Sequence, residues 1–322
     1  MEKIMITGAL GQIGSELVSV LREKYGGKNI LATDIKSPSQ STSSLSVPFE
    51  YLDVTHKDSI ENIVKKYRID TIYHMSAILS ATGEKNPHQA WDVNINGTYN
   101  ILEVARQEEM TRVFVPSSIA VFSPETPRNH TPQDTVLKPR TMYGITKVTG
   151  ELLSEYYVCR FGLDVRGCRY PGIISHQTLP GGGTTDYAVE IFYEAVKNKH
   201  YTCFVRKDTR LPMMYMPDCL KAAVDLMETD FSRLKHHAGF NVNAMSFSAE
   251  ELAVEIKKHI PDFVCEYKPD ERQNFADTWP NTIDDSAARR EWGWKPRYNL
   301  SSMAEDMVKV LSQRHQEGKL NY

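Results

Sequence analysis

Lys3-Ile4-Met5-Ile6-Thr7-Gly8-Ala9-Leu10-Gly11-Gln12-Ile13-Gly14 opens the chain with an apolar strand, a glycine-rich turn and the start of a helical pattern. Glycines spaced G-x-x-G-x-x-G let backbone turn tightly and approach a pyrophosphate, which then rests on the N–H groups of a helix N-terminus. Gly8, Gly11, Gln12, Ile13 and Gly14 are therefore expected to border a dinucleotide. About 20 residues further on, Asp34 closes the next predicted strand, where a carboxylate accepts ribose hydroxyls and repels a 2′-phosphate. No Arg adjoins the glycine loop or directly follows Asp34, so the expected cofactor is NAD rather than NADP.

Working outward, apolar strand patterns fall at 3–7, 29–33, 49–52, 71–75, 112–116 and 164–169. Amphipathic stretches near 12–25, 57–67, 88–109 and 143–161 separate them. That alternation predicts an α/β fold, a Rossmann-type doubly wound parallel sheet. The NAD-binding domain is expected over 1–171. Beyond it the alternation becomes irregular, with helical stretches at 186–198, 217–228 and 248–259. Residues 172–322 read as a smaller substrate-binding lobe, partly interleaved with the first domain, whose loops cover the sheet's C-terminal edge. The Ser-rich stretch 37–46 reads as a surface loop. Asp53 and Val54, after the third strand, either line an adenine pocket or, for Asp53, form the turn that starts the next helix. Ser76 and Ala77 end the fourth strand, where small residues let backbone pass close to a cofactor. His74 beside them reads as structural.

Composition narrows the classes. The 322 residues are 41% hydrophobic and 25% charged with formal net charge −3, ordinary for a globular protein and too acidic for a nucleic-acid surface. No apolar run approaches the ~18 residues that span a bilayer. Five Cys, with no C-x-x-C pair, suit reduced thiols better than a disulfide framework. The ten His form no H-E-x-x-H or Cys/His cluster, and no metal site is expected. The first strand begins almost at Met1, leaving no room for a leader. A soluble intracellular protein is expected, cytoplasmic, or of the mitochondrial matrix if a eukaryotic leader is missing from this sequence.

Tyr143 and Lys147 carry the chemistry. On a helix, a spacing of four places both on one face, one turn apart. A phenol with a pKa of about 10 is a poor base, and a neighbouring ammonium is expected to lower that value. Alone, Tyr-x-x-x-Lys also arises by chance on amphipathic helices. Upstream, Pro116-Ser117-Ser118-Ile119 follows the fifth strand. Gly-x-x-Gly-x-x-Gly, the Asp after strand two, the Ser-Ser run and Tyr-x-x-x-Lys, in this order, resemble an extended short-chain dehydrogenase/reductase across essentially the whole chain. The resemblance implies that Tyr143 is the base, that Lys147 holds the nicotinamide ribose and acidifies Tyr143, and that Ser118 hydrogen-bonds the reacting oxygen. It also implies that Asn94 orders the active-site helix, although Asn94 and Asn96 could equally be helix caps. Ser117 is expected to support the site from behind. Tyr170 and Ile173 are carried over as cofactor contacts.

Many extended members act on nucleotide-sugars and carry an Asn where this chain has Gly172, in Arg169-Tyr170-Pro171-Gly172-Ile173. That departure counts against a sugar-nucleotide epimerase or dehydratase. Three segments instead resemble the short-chain type of L-threonine 3-dehydrogenase: Leu79-Ser80-Ala81-Thr82-Gly83-Glu84, Pro180-Gly181-Gly182-Gly183-Thr184-Thr185-Asp186-Tyr187-Ala188, and Asp277-Thr278-Trp279-Pro280 with Ile283-Asp284-Asp285-Ser286-Ala287. The implied reaction oxidises the β-hydroxyl of L-threonine to 2-amino-3-oxobutyrate. Ser80, Thr184 and Thr185 offer hydroxyls to such a zwitterion, the glycine run offers N–H groups, and Trp279 forms a wall or packs in the core. Asp284 and Asp285 read as a helix start. The resemblance further implies a homodimer through helices near 93–110 and 143–161, with Val148, Leu152, Leu153 and Tyr156 on the face, although burial against the sheet explains them equally. A sugar-nucleotide epimerase or dehydratase stays as the first alternative, and a non-catalytic NAD-sensing regulatory protein as the second.

Overall fold

A computed structural model describes residues 1–38, 46–177 and 183–320. The first half supplies β1 (Ile4–Thr7), β2 (Ile30–Asp34), β3 (Phe49–Tyr51), β4 (Thr71–His74), β5 (Arg112–Phe114), β6 (Ser117–Ser118), β7 (Val165–Arg166) and β8 (Cys168–Tyr170). Six of these form a parallel sheet in the order β3-β2-β1-β4-β5-β7. Every residue of β1, β2 and β4 is buried. Strands covered on both faces read as unbroken apolar runs, and these do. The chain winds outward in opposite directions from β1, so the crevice beyond β1 and β4 is the sheet's topological switch point, where open α/β sheets bind ligands.

Helices α1 (Gln12–Tyr25), α2 (Lys57–Tyr67), α3 (Ser80–Lys85), α4 (Pro87–Trp91), α5 (Gly97–Gln107) and α6 (Met142–Phe161) connect the strands. The helix predicted over 88–109 is interrupted by a π-helical turn, Asp92–Asn96. Gly97, where α5 begins, presses on Val54; a Cβ there would lie 2.7 Å from Val54 Cγ2. The strand predicted over 164–169 is divided between β7 and β8 at Gly167, where a Cβ would fall 2.2 Å from the Val115 carbonyl. Apolar periodicity does not register either break.

The second half is more ordered than its pattern. It contains β9 (Gly172–Ile174), β10 (His200–Cys203), β11 (Arg210–Tyr215), β12 (Phe240–Asn241), β13 (Met245–Ser248) and β14 (Val264–Tyr267). They pair as β13-β11-β9, β10-β14 and β12-β8-β6. Helices α7 (Tyr187–Asn198), α8 (Met216–Glu228) and α9 (Ala249–His259) stand where the pattern places them. A capping box of Ser248 and Glu251 starts α9. Sequence reading missed α10 (Arg272–Ala276). α11 (Ser286–Trp292) begins directly after Asp285, where the sequence reads as a helix start. Also missed was α12 (Leu300–Gln316), which Asn299 and Ser302 cap. α8 lies against α1, and Leu220, Met227, Trp292 and Trp294 share a core with Leu17 and Leu21. Buried Arg166 ties that helix down, donating to the Leu226 carbonyl and, at 2.7 Å, to the Thr229 carbonyl.

Most of the Ser-rich stretch lies outside the described residues. Among those described, no helix is long and apolar enough to cross a membrane, all cysteines are free thiols, and no group of three His, Cys, Asp or Glu is placed to hold a metal ion.

Candidate active site

The glycine loop closes around its own backbone. Gly8 adopts φ 63°, and a Cβ there would lie 2.8 Å from the Ser76 nitrogen. A Cβ on Gly14 would lie 2.1 Å from the Gly8 carbonyl oxygen. Neither neighbour is a side chain that can swing away, so both positions require glycine. α1 then begins at Gln12 with no side-chain cap and no acid in its first turn, which leaves its leading N–H groups to an anion. Gln12 Nε2 is buried without a partner. A diphosphate at this turn suits both observations.

Asp34 is buried at the end of β2. One carboxylate oxygen accepts from Leu10 N and the other from Lys36 N, both at 2.9 Å. A carboxylate has about four acceptor positions, so capacity remains for ribose hydroxyls. Asp53 and Val54 make different contacts. Asp53 Oδ1 accepts from Thr55 N at 2.9 Å and Thr55 Oγ1 at 2.7 Å, the turn that leads into α2. Val54 is buried against Gly97. Neither walls the main cavity, whose lining also omits Asp34, Ser76 and Asn94.

That cavity encloses about 220 Å³ at the switch point. Its floor is Gly8, Gly11, Gln12, Ile13 and Gly14; Ala77, Ser80, Ser118, Tyr143, Lys147, Tyr170, Ile173, Thr184, Thr185 and Trp279 complete the predicted residues that line it. Pro180, Gly181 and Gly182 lie outside the described residues. Trp279 is both wall and core: it borders the cavity and packs in the large C-terminal cluster. Thr184 Oγ1 is buried and unpartnered.

The start of α6 is pinned twice. Thr141 Oγ1 accepts from Gly144 N at 3.1 Å, and Glu84 Oε1 accepts from Met142 N at 2.6 Å. Gly144 allows close approach, since a Cβ would lie 2.3 Å from the Ala120 carbonyl. α6 thus rests on the segment after β6, which sets the Ser118 hydroxyl close enough to Tyr143 to oppose the effect of burial on its phenol. Behind it, Asn94 bridges elements. Its Oδ1 accepts from Ile78 N at 2.8 Å, and its Nδ2 donates to Ile78 O at 3.0 Å and Thr146 Oγ1 at 3.1 Å. Thr146 in turn donates to Tyr143 O at 2.8 Å. Asn94 and Ser76 border a second, water-sized chamber beside the main cavity. His74 is held between Thr7 at 2.9 Å and Thr98 at 3.2 Å. Burial, with the Lys147 charge adding to it, lowers the His74 pKa to about 3, which suits the structural reading.

The electrostatics differ from expectation. Lys147 Nζ lies 5.6 Å from the Tyr143 ring centre and donates to the Pro116 carbonyl at 2.8 Å. Burial raises Tyr143 to about 12, opposed only by the Ser118 hydroxyl. Burial likewise depresses Lys147 to about 8, against the pull of the Glu151 carboxylate. Desolvation, which disfavours whichever form is charged, outweighs the attraction of the ammonium for a phenolate.

Gly172 has a packing reason. It pairs with Met213 in the β9–β11 ladder, and a Cβ would lie 2.3 Å from Met213 Sδ and 2.8 Å from Thr185. A side chain here would push Thr185 off the cavity wall.

Residues 4–242 match the model of the NAD dependent epimerase/dehydratase family. The chain belongs to that family. An uncharacterised epimerase/dehydratase of Staphylococcus haemolyticus is 51% identical over 317 residues, 98% of this chain and 99% of that one. The structure of L-threonine dehydrogenase from Clostridium difficile superposes with TM-score 0.95 at 51% identity, covering 100% of this chain and 99% of that one. A monomeric L-threonine 3-dehydrogenase from a metagenome gives TM-score 0.93 at 49% identity, with 96% and 99% coverage.

Within this family member, sequence reading missed Glu84, Thr146, Glu151 and Asp186. Asp186 lines the cavity and accepts from Gly183 N at 2.6 Å. Glu151 follows Lys147 by the same four-residue step that joins Lys147 to Tyr143, a signal available in the sequence.

Proposed function

We propose that this chain oxidises the β-hydroxyl of L-threonine with NAD, giving 2-amino-3-oxobutyrate and NADH, a step of threonine breakdown. One observation carries the reading: a single cavity joins the glycine loop and Ser118, Tyr143 and Lys147 to a small polar wall of Ser80, Thr184 and Thr185 closed by Trp279. The threonine dehydrogenases that share this fold at about half identity support it. On this reading residues 1–171 bind NAD and 172–322 the amino acid, interleaved through α8 and β12. Free thiols suit a reducing compartment, and we place the protein in the cytoplasm or mitochondrial matrix.

Gly8, Gly11, Gln12, Ile13 and Gly14 would hold the diphosphate and Asp34 the adenine ribose, with Tyr170, Ile173, Ser76 and Ala77 near the reacting end. NAD bound there supplies the acceptor for the hydride that leaves Cβ. Tyr143, as phenolate, takes the hydroxyl proton as the hydride leaves Cβ, and Ser118, beside Tyr143, orients the substrate oxygen. Lys147 contributes positive charge beside the phenol, offsetting the burial that holds its proton in place. Thr184 offers the substrate an otherwise unpartnered hydroxyl, and Trp279 excludes water. Incubating the purified chain with NAD and L-threonine should generate NADH by absorbance, while UDP-hexoses should not. Absence of NADH with threonine overturns the assignment.

The same reading includes a homodimer. Leu152 and Tyr156 project into solvent at 66% and 53% exposure, with Tyr99 and Trp91 also exposed. Val148 and Leu153 instead pack inward. Sedimentation of a dimer that Leu152→Asp disrupts would support the assembly; a monomer at micromolar concentration would end it.

A further inference from the structure

We infer that Glu151 is a positioning residue that keeps Lys147 in its ammonium form during turnover. The inference rests on the dehydrogenase reading above. Lys147 and Glu151 lie one turn apart on α6 and border the same chamber of about 10 Å³, together with Pro116, Ser117 and His74. The hydrogen-bond partner of the Lys147 ammonium is the neutral Pro116 carbonyl at 2.8 Å, which compensates poorly for a buried charge. Glu151 is the nearby anion, and it is rigidly held. Arg169 donates to its two oxygens at 2.9 and 2.8 Å, and Ser117 Oγ donates at 2.5 Å. Arg169 is itself fixed on Gln133 O at 2.8 Å and Asn241 Oδ1 at 3.1 Å. Gly239, at φ 77°, leaves room for the carboxylate: a Cβ there would lie 2.6 Å from Glu151 Cδ.

Among the described residues, the charged and titratable groups around Lys147 are Tyr143 and Glu151 on its own helix, His74 from β4, Glu84 from α3 at the helix start, Arg169 from β8 behind Glu151, and Asp186, which borders the main cavity with Lys147. His74 is held neutral by burial. Glu151 is the group whose charge favours the Lys147 ammonium. Removing it leaves Lys147 facing Arg169 without the anion between them.

The test is the pH profile of kcat/KM for NAD-dependent threonine oxidation by the full chain and by Glu151→Gln. Neighbours one turn apart are roughly 6 Å away, so at an effective dielectric near 20 a unit charge moves a pKa by about two units. Arg169 keeps its charge in this variant and does not alter the difference, but the open cavity beside Lys147 screens the interaction by roughly half. The alkaline limb should therefore move down by about one pH unit, while kcat/KM near pH 6.5 stays within about threefold of the parent. Glu151→Gln leaves a buried guanidinium unpaired, which threatens folding. The double variant Glu151→Gln/Arg169→Gln removes both charges and should move the limb in the same direction but less far, because losing the cation offsets part of losing the nearer anion. A limb that stays in place, or an equal loss at every pH, makes Glu151 merely structural and overturns the inference. A parent that makes no NADH from threonine sinks the dehydrogenase reading and this inference together. An active parent with an unmoved limb sinks the inference alone.

Discussion

Replacing Lys147 with Met should destroy activity and yet stabilise the protein at neutral pH. Burial lowers the Lys147 pKa from the ordinary 10.5 to about 8. Below pH 8 the lysine is charged in both folded and unfolded chains, so the fold carries the whole cost of that lowered value. At about 1.36 kcal/mol per pKa unit this is roughly 3 kcal/mol. Lys147 is partly open to the cavity, and solvent screening brings the figure to about 2 kcal/mol. Met removes the charge but leaves the Pro116 carbonyl without its donor, a loss of about 1 kcal/mol. The variant should therefore be more stable than the parent by about 1 kcal/mol at pH 7. As pH rises through 8, native Lys147 gives up its proton while the unfolded chain keeps one until 10.5. The unfolded state then binds more protons, and parent stability climbs. Near pH 10 the order should reverse, with the parent ahead by about 1 kcal/mol. Urea unfolding of both proteins at the two pH values, without NAD, measures the difference directly. A variant less stable at pH 7, or a gap that does not change with pH, would refute the assigned burial of the ammonium.

Tyr143→Phe should lower kcat/KM for threonine by at least about a hundredfold while NAD affinity, measured by calorimetry, stays nearly intact; parental rates in this variant would remove Tyr143 from the chemistry. Thr184→Val keeps the shape of the side chain and deletes a buried hydroxyl that has no protein partner. It should leave the urea midpoint unchanged or slightly raised and increase KM for threonine, and an unchanged KM would dismiss Thr184 as a contact. Gly172→Asn must displace Met213 or Thr185, at a cost of about 1–3 kcal/mol in unfolding free energy. It should weaken threonine use without creating activity on UDP-hexoses, and a stable variant that turns those over would contradict the packing account.

The parts of this protein legible in sequence are those where one local requirement admits one residue type. Gly8 and Gly14 sit where a Cβ would strike backbone, and β1, β2 and β4 are buried on both faces, so their pattern survives without knowledge of what covers them. Tyr143 and Lys147 meet because the helical repeat places them together. The π turn at Asp92–Asn96 was not legible because its local composition permits an ordinary helix; what accompanies it are two distant contacts, Val54 against Gly97 and Ile78 against Asn94. Strands β9 to β14 are two to six residues long, too short for alternation to show.

The electrostatic expectation failed for a related reason. Spacing determines that an ammonium stands near a phenol, but the sign of the pKa change depends on how much water both have lost. That loss is set by Gly144 pressing on Ala120 and by Thr184, Thr185 and Trp279, which wall the cavity. Glu151 sharpens the point. Its place one turn beyond Lys147 follows from the helix, whereas the rigidity that makes its charge useful comes from Arg169 and Gly239, which only the completed sheet brings beside α6. An ion pair formed between distant segments therefore sets the charge of a residue whose position is local, and a change at Arg169 should reach the reaction through Lys147 without touching the substrate.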